Sequence, residues 1–581
     1  MAKLSYPGFE NAALMPLPPM PATRETFDFL TDVVETHNGT EDRTQVRAIA
    51  RGKWQYPISA DLRNAQAIFN AAQQNLRGDW AVPIWAQAQF VGNLNSATVP
   101  CEPELSDFRQ GGVVMFASPG GKFETAQISA ITGSTLILAE AVSVRNAYIM
   151  PVHAARVTGD IGRSMRGFNT AYDFDFEMTD PRQWNTKLGI HISLDVSGSM
   201  GFLLAGTDIA RIDIARQSIV SVLTAIRGAI VNSNVSVDLR LSFWANVVTN
   251  YTYVGATVND IDAAIIAAQT FPVGGGTAPL NSFNSSLDFF GTVAPNDGDR
   301  KDILLFTMDP SDANLTSSAA AAAAMINRNS PYDGSRSVDI YAINFESSNF
   351  TEALKVDNAS GGQITNVTAA DPGAMERRFL SAVNPVIGYQ HDGYEVLYTP
   401  PVGSEFQGQT NKIEDRIDFE IGKFEVRSPW LNGRTSHVHS FFIDGLSEML
   451  AFRRWLYRRL GKRGAFIFPV FQHNARPYDM NSERTQLFIR NDDFNAWGDG
   501  WNRLFIQFTS GAWQIVNVVS VVSTVTEDRR LTLSAPVNGR LQDIAQICYA
   551  VIGRLDADKI EINHIGDLCA ETSISMTGLN G

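Results

Sequence analysis

The stretch HISLDVSGSMG (His191–Gly201) changes abruptly from an apolar, β-prone run to a polar turn. Asp195 ends the apolar run, and Ser197 and Ser199 follow it at intervals of two residues. One carboxylate and two hydroxyls supply hard oxygen donors, which are the ligands that Mg²⁺ prefers in proteins. The stretch therefore predicts a buried strand that ends in a cation-binding turn.

Strand-like and helix-like segments alternate around this stretch, over residues 187–390. KLGIHISLDVS, KDILLFTMD and SVDIYAINF have the apolar character of buried strands, and DIARIDIARQSIVSVLTAIRGAIV has apolar residues at helical spacing. The alternation predicts an α/β, Rossmann-like domain, in which a mostly parallel sheet is covered by helices on both faces. Ligands of such sheets bind at the carboxyl ends of the strands.

Two further oxygen donors are expected at the same edge of this sheet. Thr277 ends the loop GGGT, which precedes a helix, and Asp309 follows the strand DILLFTM. We therefore predict that Asp195, Ser197, Ser199, Thr277 and Asp309 bind one divalent cation, Mg²⁺ or alternatively Mn²⁺ or Ca²⁺. A coordination position left open would accept a carboxylate from a partner protein.

The motif DVSGSM resembles the D-x-S-x-S signature of von Willebrand factor A domains, which begins their metal-ion-dependent adhesion site (MIDAS). Matched to the family's pattern, Asp195, Ser197 and Ser199 are the signature residues. Thr277 resembles the family's threonine and Asp309 its later aspartate. The family usually has Thr-Asp-Gly after that strand, whereas this chain has TMDP, so Asp312 is an alternative to Asp309. The resemblance implies a domain that binds other proteins through its cation.

The segments before and after this domain match each other in order, which predicts a duplicated unit. FDFLTDVVE (Phe27–Glu35) parallels IDFEIGKFE (Ile417–Glu425), Pro83 falls on Pro469, and Arg156 falls near Arg554. Each copy combines one helix with alternating strands, so both are expected to be β-rich α+β units. The predicted layout is an extended arm (1–26), copy 1 (27–186), the α/β domain (187–390), a linker (391–410) and copy 2 (411–581).

The flanking units resemble tail-tip and distal tail proteins of tailed bacteriophages, chiefly through WLYRRLGKRGAFIFPVF and HNGTEDRTQVRAIARGKWQYPI. This resemblance implies a structural protein of the tail tip or baseplate, assembled in the host cytoplasm and located at the distal end of the virion tail. Its expected partners are the tail tube, the hub and other tail-tip proteins, with a host surface protein as a possible ligand of the metal site. Self-assembly is expected as a homotrimer with pseudo-sixfold symmetry or as a homohexamer.

Composition and missing motifs narrow the function further. The formal charge of −14 argues against nucleic-acid binding, and no run of eighteen apolar residues predicts a membrane span. His437 and His439, in SHVHS, are expected to be packing or surface residues rather than metal ligands. We find no enzyme motif and predict that the chain is not an enzyme. Two alternatives stay open: a cellular von Willebrand factor A protein acting in complex assembly and, less favoured, a metal-dependent hydrolase.

Overall fold

A computed structural model gives the fold of most of the 581-residue chain. It describes residues 4, 6–9, 11–35, 40–47, 49–75, 78–132, 134–166, 169–179, 186–293, 300–308, 320–323, 338–345, 365–402, 407–411, 415–418, 424–427, 434–472, 475–490, 501–523, 528–566 and 568–579.

The N-terminal flank is rich in strands and has one long helix. Its helix begins after Asp61, whose side chain caps it by accepting a hydrogen bond of 2.8 Å from the backbone N–H of Asn64. Its elements are β1 (Ala13–Leu14), β2 (Thr23–Asp28), β3 (Thr31–Glu35), β4 (Glu41–Gln45), β5 (Arg51–Asp61), α1 (Leu62–Gln74), β6 (Trp80–Pro83), β7 (Gln89–Pro100), β8 (Val113–Ser118), β9 (Lys122–Thr132), β10 (Thr135–Val157), β11 (Gly162–Arg166) and β12 (Asn169–Met178).

The central domain is a mixed α/β unit. Its elements are β13 (Thr186–Asp195), α2 (Arg211–Asn232), β14 (Val235–Trp244), β15 (Val248–Tyr253), α3 (Val258–Thr270), α4 (Pro279–Asp288), β16 (Arg300–Met308), β17 (Asp339–Phe345), β18 (Thr365–Val367) and α5 (Ala374–Ile387). The six strands form one sheet in the order β15-β14-β13-β16-β17-β18. All neighbouring strands are parallel except the edge strand β15, which is antiparallel to β14. This is the doubly wound arrangement predicted from the sequence.

Helices cover both faces of this central sheet. One core packs α2, α3 and α5 against residues such as Ile190 and Ile192 of β13, and a second packs α4 against residues such as Phe306 of β16. Helix α2 is long and apolar enough to cross a membrane by length and composition, with a hydropathy of 1.4 over its most apolar window. Because its apolar residues are buried against the sheet, packing in the domain core accounts for that composition.

The C-terminal flank also combines many strands with one long helix. Its elements are β19 (Gln390–His391), β20 (Tyr394–Val396), β21 (Gln407–Asn411), β22 (Asp415–Asp418), β23 (Phe424–Arg427), β24 (Arg434–Asp444), α6 (Gly445–Arg459), β25 (Ala465–Pro469), β26 (Pro477–Met480), β27 (Gln486–Ile489), β28 (Arg503–Phe508), β29 (Trp513–Ser523), β30 (Arg529–Leu533), β31 (Ile544–Leu555), β32 (Lys559–His564) and β33 (Cys569–Gly578). Helix α6 carries buried residues along much of its length, and the strands β24, β25, β28 and β31 contribute to the largest core of the described residues.

The two flanks are joined by direct strand pairing, because β2 pairs on one side with β5 and on the other with β32. The start of the chain, expected as an extended arm, includes β1, which pairs in parallel with β6. One part of the sequence alignment between the flanks is out of register. Phe27 lies in β2, which pairs with β5, whereas Ile417 lies in the separate hairpin β22–β23.

The candidate cation site at the end of strand β13

Strand β13 brings Asp195 to the carboxyl edge of the central sheet. The apolar side chains of Ile190, Ile192 and Leu194 are fully buried, and the alternate residues His191 and Ser193 are fully buried as well. The strand therefore lies in the middle of the sheet with helices on both sides. Asp195 itself is 0% exposed, and burying a carboxylate at such a position is unfavourable unless other groups compensate its charge.

The turn after β13 folds the three motif residues together. The backbone N–H of Ser197 donates to Oδ1 of Asp195 at 2.8 Å, and the Oγ atoms of Ser197 and Ser199 lie 3.1 Å apart. A 3₁₀ turn follows over Gly198–Gly201, and the buried Met200 anchors it to the core. Since Gly198 is exposed and Ser199 is half-buried, the turn also reaches the surface.

The glycine-rich loop that carries Thr277 lies directly against this turn. The backbone N–H of Gly198 donates to the carbonyl of Gly275 at 3.1 Å, and that of Gly274 donates to the carbonyl of Val196 at 2.8 Å. These two bonds fix the loop two residues before Thr277. The structure therefore brings the GGGT loop and the DVSGS turn together, as the sequence predicts.

Glycine is required in this loop for steric reasons. Gly275 has a φ of +95°, which side chains other than glycine rarely adopt. A Cβ on Gly276 would lie 2.6 Å from Oδ1 of Asn246, so the exposed side chain of Asn246 would have to move to accommodate another residue there.

The fifth predicted ligand follows strand β16, which pairs in parallel with β13 and ends at Met308. Asp309 and its alternative Asp312 both lie outside the described residues. Because β16 runs beside β13 in the same direction, the chain leaves it at the same edge of the sheet. The assignment of either aspartate as a ligand stays a prediction.

Thr307 is a residue of this site whose role the sequence reasoning missed. Its Oγ1 accepts a hydrogen bond of 2.8 Å from the backbone N–H of Asp195 and donates to the carbonyl of Ser193 at 3.4 Å. The side chain is fully buried. A hydroxyl within the otherwise apolar run ILLFTM was the available signal, and it marks the point where β16 holds the end of β13.

A buried polar layer lies beneath the site, between the sheet and α4, the helix that follows Thr277. Nε2 of His191 is 2.6 Å from Oγ of Ser242, and Nδ1 is 2.7 Å from Oγ of Ser286. Ser193 contacts Ser282 of the same helix through their hydroxyls. Burial, together with the nearby Arg240, lowers the pKa of His191 to about 3. The neutral imidazole thus links the sheet, through Ser242 of β14, to α4, through Ser286.

The donor set fits a hard divalent cation. The side chains of Asp195, Ser197 and Ser199 lie close together and offer only oxygen atoms as ligands, and the loop of Thr277 is bonded to their turn. Among the described residues there is no cluster of three or more histidine, cysteine, aspartate or glutamate side chains. The chemistry of the site is therefore that of one carboxylate with hydroxyls, which suits Mg²⁺ or Mn²⁺ better than a soft metal.

The two histidines of SHVHS lie far from this site, in the core of the C-terminal flank. Their rings pack against Phe468 at centroid distances of 5.6 Å for His437 and 6.1 Å for His439. Burial lowers the pKa of both imidazoles, and His437 also contributes for His439, whose pKa falls to about 4. Of the two positions that the sequence left open, packing or surface, both histidines take the first.

Comparisons with known proteins identify no family for the chain from its sequence. No family model matches it, and no curated protein is significantly similar to it. Solved structures of von Willebrand factor A proteins resemble it at low identity. A von Willebrand factor type A protein from Catenulispora acidiphila is 11% identical with a TM-score of 0.26, over 68% of this chain and 59% of that one.

Two further likenesses concern proteins solved with a metal. Proximal thread matrix protein 1 from the mussel byssus is 12% identical with a TM-score of 0.25, over 35% of this chain, and it has also been solved with a zinc-occupied MIDAS motif. The chain spans about half of that protein, 47% of its length. Manganese-loaded Plasmodium vivax TRAP is 14% identical with a TM-score of 0.21, over 28% of this chain and 57% of that one.

These TM-scores are too low for the likenesses to define the fold. The central domain is defined instead by its own strand order, its helices on both faces, and the motif DVSGSM at the carboxyl end of its first strand. Together they describe a mixed α/β domain with a mostly parallel sheet and a polar turn at the end of its first strand.

Proposed function

We propose that the protein is a structural component that displays a metal-dependent adhesion-type domain on a β-rich scaffold. The observation that carries the proposal is the contact between the DVSGS turn and the GGGT loop, made by the bonds of Gly198 with Gly275 and of Gly274 with Val196. This contact joins motif elements that are far apart in the sequence. It supports a built site rather than a polar turn that happens to follow a strand.

In this proposal Asp195, Ser197, Ser199, Thr277 and Asp309 hold a divalent cation, Mg²⁺ or Mn²⁺. Thr307 holds the backbone of Asp195, and the polar layer contacts α4, the helix that follows Thr277. When bound, the cation supplies positive charge at a position open to a partner's carboxylate. Because a single buried carboxylate and neutral hydroxyls would surround it on the described side, it would keep much of that charge for an acidic ligand.

The finer proposal places the protein in the tail tip or baseplate of a phage-like virion, at the distal end of the tail. Its support is the sequence of the flanks, together with a helix and strands that occur in the same order in both. The flanks would assemble with further copies, the tail tube and the hub, while the central domain would contact a neighbouring tail protein or a host surface protein. None of the solved structures named above is a tail protein, so this role rests on the flanks alone.

Two other functions remain as alternatives. A cellular von Willebrand factor A protein acting in complex assembly would use the same site, and it would differ by lacking ring assembly through the flanks. A metal-dependent hydrolase would need a general base beside the cation. His191 does not support that role, because both its ring nitrogens contact serine hydroxyls and its pKa is about 3.

Calorimetric titration of the purified chain with Mn²⁺ tests the adhesion-type site. The wild-type chain should bind one ion, and Asp195→Ala should abolish that binding. Asp213→Ala is the matched control, because the Asp213 side chain is 60% exposed at the start of α2 and forms a weak surface pair with Arg216 at 3.5 Å. Equal binding by both variants, or no binding by the wild-type chain, would refute the site.

A further inference from the structure

The two flanks share one order of strand pairing. In the N-terminal flank β5 pairs with β12, β6 and β8 pair with β10, and β11 pairs with β12. In the C-terminal flank β24 pairs with β33, β25 and β28 pair with β31, and β32 pairs with β33. By the same correspondence, β2, which pairs with β5, matches β21, which pairs with β24. The hairpin β3–β4 likewise matches the hairpin β22–β23.

The joint between the flanks uses one strand of each unit. Strand β2 of the first unit pairs antiparallel with β32 of the second over six residues, from Thr23 opposite His564 to Asp28 opposite Lys559. Glu25 of β2 is held there by Arg453 of α6, at 2.6 Å and 3.2 Å, and by His564 at 3.2 Å. The joint therefore combines antiparallel strand pairing between the two units with a buried ion pair.

The hairpin β3–β4 adds a second contact across the same joint. Glu41 of this hairpin accepts hydrogen bonds from Arg434 at 2.8 Å and from Arg554 at 2.7 Å and 2.8 Å. Both arginine side chains are almost fully buried, at 6% and 8% exposure. The first unit thus contacts the second through the ion pairs of Glu41 as well as through β2.

The corresponding strands on the outer sides of the two units have no such joint. Strand β11, the counterpart of β32, pairs among the described residues with β12 alone, and β21, the counterpart of β2, with β24 alone. Residues 162–165 of β11 are exposed, with Met165 at 61%, whereas Ile560 and Ile562 in β32 are buried at 2% and 0%.

The charged face shows the same contrast. By strand register, Arg51 and Arg156 of the first unit correspond to Arg434 and Arg554 of the second. Their side chains are 55% and 65% exposed, and within the chain they pair with Glu177 at 3.6 Å and with Asp79 at 2.8 Å. The two arginines that are buried at the joint on the second unit therefore have exposed counterparts on the first.

We infer that chains associate head to tail, with β21 of one copy pairing antiparallel with the exposed edge of β11 in the next. The occupant is a second copy of this chain, because the joint that this pairing would repeat is already formed inside each chain. The register of β2 against β32 predicts the register of their counterparts, β21 and β11. It places Gln407 opposite Ser164 and Gln409 opposite Gly162. Such a contact uses different surfaces on its two sides, so it generates a ring when the rotation closes.

A ring built in this way contains two corresponding units per chain, and its intermolecular joints repeat the strand pairing of the internal joint. This interface gives a structural basis for the assembly part of the proposed function. It rests on the likeness of the two flanks and does not involve the cation site, so either proposal can fail without the other.

Cysteine cross-linking of the full-length chain tests the interface. Ser164→Cys and Gln407→Cys are made in separate chains, mixed and mildly oxidised, and the expected product is a disulfide-linked pair of chains. The matched positive control is the double variant Arg24→Cys with Asn563→Cys inside one chain. In the wild-type chain Nε of Arg24 lies 3.1 Å from Oδ1 of Asn563. This double variant should cross-link without an increase in mass. Ser143→Cys, on an exposed position of β10, replaces Ser164→Cys as the negative control.

Light scattering of the unmodified chain gives an independent readout. We expect a mass of several chains for the wild type and of one chain for Met165→Asp, with unchanged circular dichroism, because a charge on the exposed edge opposes strand pairing. Two results would overturn the inference: a wild-type chain that stays monomeric at tens of micromolar, or no disulfide-linked pair of chains while the intramolecular control forms its bond.

Discussion

The buried ion pair between the flanks yields a quantitative prediction for Glu25→Ala. Glu25 is 6% exposed at its side chain and Arg453 is 0% exposed, and they form two hydrogen bonds. Burial alone would raise the pKa of Glu25, but Arg453 and His564 outweigh this effect and hold the pKa below its usual value. The carboxylate is therefore ionised at neutral pH, and its removal leaves the Arg453 charge buried without its main partner.

Removing one partner of a buried ion pair destabilises a protein by about 3–5 kcal/mol. We expect this loss to appear as local opening of the joint, since β2 is a short strand that links two larger units. Each loss of about 1.4 kcal/mol makes the opened state ten times more populated. Amide exchange in β2 and β32 should therefore become roughly a hundred to several thousand times faster where it proceeds through this opening.

Hydrogen-exchange mass spectrometry of peptides covering β2 and β32 measures this effect. Arg24→Ala is the control in the same strand, because Arg24 pairs with Glu561 at 3.3 Å with exposures of 45% and 34%. Such a surface pair contributes at most about 1 kcal/mol. If Glu25→Ala changes exchange in β2 no more than Arg24→Ala does, the ion pair does not hold the joint.

Three further predictions concern the central domain and the C-terminal core. Thr307→Val removes the acceptor of the Asp195 N–H. Thermal denaturation should show an unfolding free energy that is lower by about 1–3 kcal/mol, and Mn²⁺ binding should be weaker. Gly228→Ala places a Cβ 2.5 Å from Cα of Gly393, so it should destabilise the contact of α2 with the C-terminal flank by about 1–3 kcal/mol in urea titrations. The pKa of His439 is about 4 in the folded chain, below its unfolded value. The folded state is therefore most stable, as far as His439 is concerned, above about pH 6.5, and by pH 5 it should have lost about 2 kcal/mol. The variant His439→Phe should lack this part of the pH dependence.

Local patterns were sufficient to predict most of the central domain. The apolar runs correctly predicted the strands β13, β16 and β17, and the helical spacing of apolar residues correctly predicted α2. These predictions succeeded because each element is long and strongly patterned. The edge strand β15 was missed, since VTNYTY is short and partly polar. The contact between the two site loops followed from the general rule that the carboxyl ends of parallel strands meet at one edge.

Contacts that depend on long-range packing could not be predicted in the same way. Thr307 and His191 look like ordinary residues of apolar strands, and only the folded sheet shows that they hold Asp195 and α4. The pairing of β2 with β32 joins residues more than five hundred positions apart, for which the sequence contains no local signal. The alignment of Phe27 with Ile417 was misplaced because short alternating strands resemble one another at several registers.

The central claim is that the DVSGS turn and the GGGT loop form one cation site, and crystals grown with Mn²⁺ test it most directly. Anomalous difference maps should show one manganese peak bonded to Oγ of Ser197 and Ser199, at about 2.0–2.3 Å, and the peak should be absent in Asp195→Ala crystals. A map with no peak at this position at saturating Mn²⁺, or with an unchanged peak in Asp195→Ala, would contradict the account.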